Sequence, residues 1–426
     1  MKKIVLITVL FSALLFGCKQ EDNVNNEDYF IWATSPIAAI DDGKVQLYWM
    51  KPIILLDKVP GANEKTMIDP DKFAIYISEN DMSNFRELVE LDRNKLQQDE
   101  NNYYAYTADK LQNGKSYFFY FASRKKGFET LYSDTVMAVP NKRKSFEVLL
   151  TDAGYVSIAQ QKNKIAFVSS YTWNNGNNNE PNSVFISNMD GSEKELVRIN
   201  GYQPTWSPAN DIIAFYFDGT VNVGWFPAQI ALYNYENKTI TPVTDKNYYN
   251  WGPNFSSNGE LLLYQSSKNT PGTYETNIWA FNLKTLESFQ ITDISKTSLK
   301  TVGRPRLIDN DRFLFHGVYH GQRENCQLFE SSVSTKQIIK VFESIWNDCI
   351  PAISPDQKKI AFVSDRSKMN QVWIYYIDNK TYSQVTGYSP YESVNTSDNI
   401  EWSDNSTIVF TISDNQGNKT IKQRVE

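Results

Sequence analysis

Ile353-Ser354-Pro355-Asp356-Gln357-Lys358-Lys359-Ile360-Ala361-Phe362-Val363-Ser364-Asp365-Arg366 is the stretch that decides the fold. A Ser-Pro-Asp turn separates one apolar segment from a second, Ile360 to Val363, the sign of two antiparallel strands joined by a tight connection. The pattern recurs upstream. Pro204-Thr205-Trp206-Ser207-Pro208 runs on to Ile213-Ala214-Phe215, and Pro253-Asn254-Phe255-Ser256 runs on to Leu262-Leu263-Tyr264. Fainter copies are Lys164-Ile165-Ala166-Phe167, Phe313-Leu314-Phe315 and Ile408-Val409-Phe410. Pro204, Pro253, Pro305 and Pro351 lie 49, 52 and 46 residues apart, a period that holds four strands and four turns. Gln371 to Ile377 supplies a third strand of the copy quoted above, and the segment ending Ser383-Gln384-Val385-Thr386 an outer one.

Six copies are counted, and the last, Ile400 to Glu426, holds only three strands. Ser145-Phe146-Glu147-Val148-Leu149-Leu150-Thr151-Asp152 resembles the outer strand Ser288-Phe289-Gln290-Ile291-Thr292-Asp293 yet precedes the first copy. Residues 145 to 151 are therefore expected to complete the last sheet and close a ring, which removes an edge that would template aggregation. The repeat resembles that of the TolB-type propeller family, from residue 144 to residue 426. The resemblance implies a six-bladed β-propeller and a habit of binding proteins. That family's α/β domain has no counterpart here.

Residues 29–140 read as a separate β-sandwich. Lys44-Val45-Gln46-Leu47-Tyr48-Trp49 and Phe73-Ala74-Ile75-Tyr76-Ile77 alternate with the period of half-buried strands, and Tyr117 to Ala122 is a longer aromatic strand. Leu111, Gly114 and Tyr117, spaced three apart, look like the tyrosine corner of fibronectin type III domains. Trp49, the turn Asp41-Asp42-Gly43 and the tail Ser133 to Val139 fit the same family, whose members act as spacers or protein contacts. The whole chain is thus expected to be all-β.

Met1-Lys2-Lys3 followed by the apolar run Ile4 to Phe16 reads as a secretory signal over residues 1–18. Leu15-Phe16-Gly17-Cys18 resembles the lipobox of bacterial lipoproteins, which implies lipidation of Cys18 and an outer-membrane anchor with residues 19–28 as a polar tether. Lys19-Gln20-Glu21-Asp22 resembles the acidic export signal of surface lipoproteins in Bacteroidota.

A net charge of −6 offers no electrostatic footprint for nucleic acid. Two His and three Cys in 426 residues leave little for metal or nucleophile chemistry, and neither a cofactor nor a metal is expected. His316 and His320, four apart on an extended strand, would sit roughly 13 Å from each other, too far to share an ion. Cys326 and Cys349 fall on one face of adjacent blades and form a candidate disulfide. Aromatic residues in the loops, Trp173, Trp225, Phe226 and Tyr274, with His320 and Arg323, are candidate ligand contacts; the alternative is that they pack on neighbouring loops. Asp356, Asp365 and Arg366 read as turn residues of the repeat.

The expected function is a lipid-anchored envelope protein that binds or scaffolds a polypeptide or glycan on the aromatic loop face. The alternative is a polysaccharide lyase or hydrolase working in the channel, which needs carboxylates or His316 turned inward. A third reading is a propeller that gates a separate peptidase chain.

Overall fold

The computed structural model describes residues 29–425 except 33, 57–64, 68, 127–129, 143, 170–181, 219–227, 271–274, 321–325, 391–392, 395–397 and 415. Among the described residues the regular structure is nearly all strand, with three single 3₁₀ turns, and no helix is long and apolar enough to cross a membrane. The chain divides into two compact units, Met1–Pro140 and Asn141–Glu426.

In the first unit, the sheet of Ile37–Asp41, Lys44–Trp49 and Tyr104–Ala108 and the sheet of Arg86–Asp92, Lys72–Glu79, Tyr117–Arg124, Leu131–Tyr132 and Val136–Ala138 bury one shared core. Val45, Leu47 and Trp49 alternate into it from one side, and Phe73, Ile75, Phe119 and Phe121 from the other. Trp49 stacks on Phe121 at 4.6 Å and meets Phe73 edge-on at 5.5 Å. The Tyr117 hydroxyl accepts the Gln112 N–H at 3.0 Å, tying this strand to the turn that precedes it.

The second unit is a β-propeller, and among its described residues six antiparallel sheets follow one another in chain order. Their first strands are Ala153–Ala159, Gly201–Trp206, Asn250–Phe255, Leu299–Leu307, Asp348–Ile353 and Glu401–Asp404. Each first strand packs on the next, and the sixth packs on the first, so the ring closes around these strands. Phe146–Thr151 pairs antiparallel with the last strand, Gly417–Arg424, and completes the sixth sheet as the sequence requires.

The position of each strand explains its composition. The second strands lie between neighbouring sheets with both faces covered, and Lys359–Ser364 is buried at every residue. Such a strand reads as an apolar run with no alternation, which is why Ile-Ala-Phe-Val recurs. Fully burying a side chain such as Phe362 contributes about 1.5–3 kcal/mol. The outer strand Glu195–Ile199, by contrast, has no fully buried residue.

The Ser-Pro turn is a hydrogen-bonded device. The Ser354 carbonyl accepts the Gln357 N–H at 2.8 Å, the Ser354 hydroxyl accepts the Lys359 N–H at 3.0 Å, and Gln357 sits at φ 60°. Ser207 with Asn210 and Ile212, and Ser256 with Gly259 and Leu261, repeat it. Asp356 has a structural task here, since its carboxylate accepts the Ser354 hydroxyl at 2.6 Å while its N–H reaches Asn405 of the next sheet at 2.9 Å.

Candidate functional site at the propeller axis

Five of the six first strands carry the same bulge. Their pairing slips at Gly154/Ser157, Tyr202/Thr205, Trp251/Asn254, Gly303/Arg306 and Cys349/Ala352, and within each slip one residue has positive φ: Tyr155, Gln203, Gly252, Arg304 and Ile350. Four of these five directly precede the marker prolines. A bulge re-aims the strand and releases its peptide groups from the ladder, and side chains of the ring answer them. Gln203 Oε1 accepts the Gly252 N–H at 2.8 Å, and Gln265 Oε1 accepts the Arg304 N–H at 2.8 Å.

Arg304 reaches furthest. From the fourth sheet its Nη1 donates to Asn399 Oδ1, at the entry to the sixth sheet, at 3.2 Å, and its guanidinium lies 5.8 Å from the Tyr155 ring of the first sheet. In a closed ring of six, the fourth sheet faces the first, so this side chain crosses the axis.

Around it lie buried groups that the repeat does not explain. Asp398, 3% exposed, has an Oδ2 without a hydrogen-bond partner. Burial pushes its carboxyl up to about 6, and a hydrogen bond from the Thr411 hydroxyl, the Arg304 charge and the Tyr155 backbone N–H draw it only partly back. Gly154 makes its room, because a Cβ there would lie 2.5 Å from that oxygen. Arg306, 7% exposed, leaves Nε and Nη2 unanswered. Burial lowers the pKa of Arg306 and raises that of Glu401, and the attraction between the two opposes both shifts. His316 pairs across from Gly303, where a Cβ would fall 2.3 Å from Gln265 Oε1 and 3.3 Å from His316 Nε2. Burial first, and then Arg304, pushes the His316 imidazole down to about 3. A neutral imidazole with so low a pKa is a weak proton acceptor near neutrality.

His316 also belongs to a second group. His316, Cys326 and Cys349 each present a ligand atom, and the three atoms lie within 4.8 Å of one another; this is a set of the kind that holds a metal ion. The strand register places them. His316 pairs with Leu328 and Val318 with Cys326, so His316 and Cys326 share the face of the fourth sheet that packs on the first strand of the fifth. Cys349 sits on that first strand of the fifth sheet, one residue in from its start. Both cysteines are free thiols. The hydrogen-bonded Cys326 beside it, and then burial, push the Cys349 thiol well above its ordinary range.

Few of the sequence-derived candidates belong to either group. Cys18, Trp173, Trp225, Phe226, Tyr274 and Arg323 lie outside the described residues. His320 is exposed at the end of its strand, donating its backbone N–H to Ser298 at 3.2 Å, and is not grouped with His316. Asp365 and Arg366 are more than turn residues. Asp365 holds the Asn347 side chain at 2.7 Å, and Arg366 is buried against Asp348 at 3.0 Å among Phe342, Trp346, Phe362, Trp373 and Tyr382. Sequence reasoning misses Arg304, Arg306, Asp398 and Glu401. The one available signal is a polar residue beside a repeat-marking proline, as in Arg304-Pro305-Arg306.

The chain is similar in fold to TolB-like propellers. TolB from Acinetobacter baumannii is 17% identical, with a TM-score of 0.46 over 74% of this chain and 77% of that one. A putative TolB from Agrobacterium tumefaciens is 13% identical, with a TM-score of 0.43 over 74% and 91%. An oligogalacturonate lyase from Vibrio parahaemolyticus is 11% identical, with a TM-score of 0.43 over 67% and 97%. No family model matches the chain, and no curated protein does. The description as a propeller stands on the six sheets themselves.

Proposed function

We propose that the chain is a binding or scaffold protein of the bacterial envelope, whose ligand, a polypeptide or a glycan, docks on the loops at one mouth of the ring. In this reading Cys18 carries the lipid that anchors it to the outer membrane. The first unit is a fibronectin type III-like spacer, in keeping with its three-stranded sheet facing a larger one and with the Tyr117 hydroxyl bound to the Gln112 N–H. The second is a six-bladed TolB-type propeller.

The observation that carries the reading is Arg304. Its reach from the fourth sheet to Asn399 and Tyr155 occupies the axis, where a polymer would have to pass to be cleaved. The low basicity of His316 points the same way. Recognition is then left to the loops, for which Trp173, Trp225, Phe226, Tyr274, His320 and Arg323 are the candidate contacts. Asp398 favours the second reading, a lyase or hydrolase. A buried carboxyl with a pKa near 6 beside an arginine is suited to proton transfer near neutrality.

A glycan array and an envelope pull-down with the full chain and its Trp173→Ala, Trp225→Ala and Asp398→Asn variants separate the two. Binding predicts an intact ligand, a loss of about 2 kcal/mol or roughly thirtyfold in affinity for a tryptophan variant that removes an anchor, and no change for Asp398→Asn. Product release that Asp398→Asn abolishes would replace the binding reading with the enzymatic one.

A further inference from the structure

Where the fourth and fifth sheets meet, two strands of one and the first strand of the other bring His316, Cys326 and Cys349 within 4.8 Å of one another. We infer that these three side chains form a site for a d¹⁰ transition-metal cation, Zn²⁺ or Cu⁺. Two thiolates and an imidazole are the soft and borderline donors that such cations select, and they leave hard cations such as Mg²⁺ or Ca²⁺ without oxygen ligands. With metal–sulfur bonds of about 2.3 Å, tetrahedral ligands sit roughly 3.8 Å apart. The present spacing therefore closes onto an ion by a movement of about 1 Å and no change of strand register.

The competing fate of two neighbouring thiols is a disulfide, and His316 decides between the two. Its Nδ1 is buried without a hydrogen-bond partner. A disulfide would leave the imidazole without a role, whereas a cation between the three groups takes it as a third ligand. The charges also match. Zn²⁺ with two thiolates and a neutral imidazole sums to zero, and the two thiol protons pass to solvent as the ion binds.

The shell behind the ligands is already in place. Cys326 donates its backbone N–H to Asn347 Oδ1 at 3.2 Å, and Asp365 fixes Asn347 by accepting its backbone N–H at 2.9 Å and its Nδ2 at 2.7 Å. Outer contacts of this kind orient metal ligands. Across the same strand, Asp348 is held by Arg366, which pins the backbone from which Cys349 projects.

The test uses the full-length chain in a Cys18→Ser background, reduced and freed of metal. It is offered one equivalent of Zn²⁺ in one arm and of Cu⁺ under anaerobic conditions in another, and Co²⁺ serves as a coloured stand-in for Zn²⁺. Retention of about one ion per chain after desalting is expected in at least one arm, with thiolate-to-cobalt charge-transfer absorption, protection of both thiols from alkylation and a rise in Tm. Cys326→Ser, Cys349→Ser and His316→Gln should each weaken retention by at least about tenfold, while His320→Gln leaves it unchanged. The Tm and alkylation measurements need no variant, so a variant that fails to fold does not remove the test. The inference is overturned if neither ion is retained, if the Cys326→Ser/Cys349→Ser double variant retains as much as its parent, or if the two thiols oxidise to a disulfide while the ion is present.

Discussion

Asp348 and Asp398 are buried carboxylates of the same ring, and they differ in what answers them. Asp348, 0% exposed, receives Nε and Nη2 of Arg366, itself 1% exposed and enclosed by five aromatic rings. Asp398 is almost as deeply buried, but an oxygen remains without a hydrogen bond and the nearby Arg304 is directed to Asn399. Here a sealed, bidentate pair in an aromatic cage ties the turn that carries Arg366 to the first strand of the fifth sheet. At the axis, Asp398 has no ion pair of that kind, and one of its oxygens is left without a hydrogen bond. Polar burial in one fold thus serves two ends, and hydrogen-bond satisfaction tells them apart better than depth does.

The comparison breaks most directly at Asp348. Asp348→Ala should cost about 3–5 kcal/mol, because it leaves the Arg366 guanidinium charged and unpaired in an apolar cage. Denaturant unfolding measures this, and a cost below about 1 kcal/mol would mean that the aromatic rings, not the carboxylate, hold the arginine.

Asp398 should show itself through pH. Its folded pKa is raised, so the native state binds the extra proton between the unfolded value of 3.8 and about 6. The sign follows: its contribution is fully present below pH 3.8 and is lost as pH rises through about 6. A shift of roughly two units corresponds to about 3 kcal/mol. Asp398→Asn should flatten this part of the stability curve between pH 4 and 7, and urea midpoints at the two ends will show whether it does.

The smallest effect is expected from a neutral bond between sheets. The Trp402 indole N–H donates to the Ala352 carbonyl at 3.0 Å, joining the sixth sheet to the fifth. Trp402→Phe should lose about 1 kcal/mol with no pH dependence, seen as a modest drop in Tm. A pH-dependent loss there would blur the contrast with Asp398.

The two units also differ in how far they could be read in advance. In the sandwich, alternation along Lys44–Trp49 and the spacing of Leu111, Gly114 and Tyr117 are local signals, and the local geometry follows from them. In the propeller, the repeating Ser-Pro turn and the apolar second strand likewise announce each sheet, because turn chemistry and two-sided burial act within a few residues. Even ring closure by Phe146–Thr151 is legible, since an incomplete last sheet and an extra strand at the start need each other.

The axis was not legible in the same way. Arg304 meets Asn399 across 95 positions of chain, and Asp398 backs onto Gly154 across a still longer separation. No spacing within a repeat records such meetings, because closure of the ring, not sequence distance, sets which side chains face one another. The His316, Cys326 and Cys349 cluster lies between the two cases. Strand register put His316 and Cys326 on one face, but only the packing of the fifth sheet on the fourth brought Cys349 to them. The sequence by itself therefore determined the strands, the turns, the period and the closing strand, all of which follow from short-range hydrogen bonding and patterned burial. The tertiary structure alone decided which polar groups share the axis and which three ligands converge, because those neighbours belong to different sheets and meet only when the ring is complete.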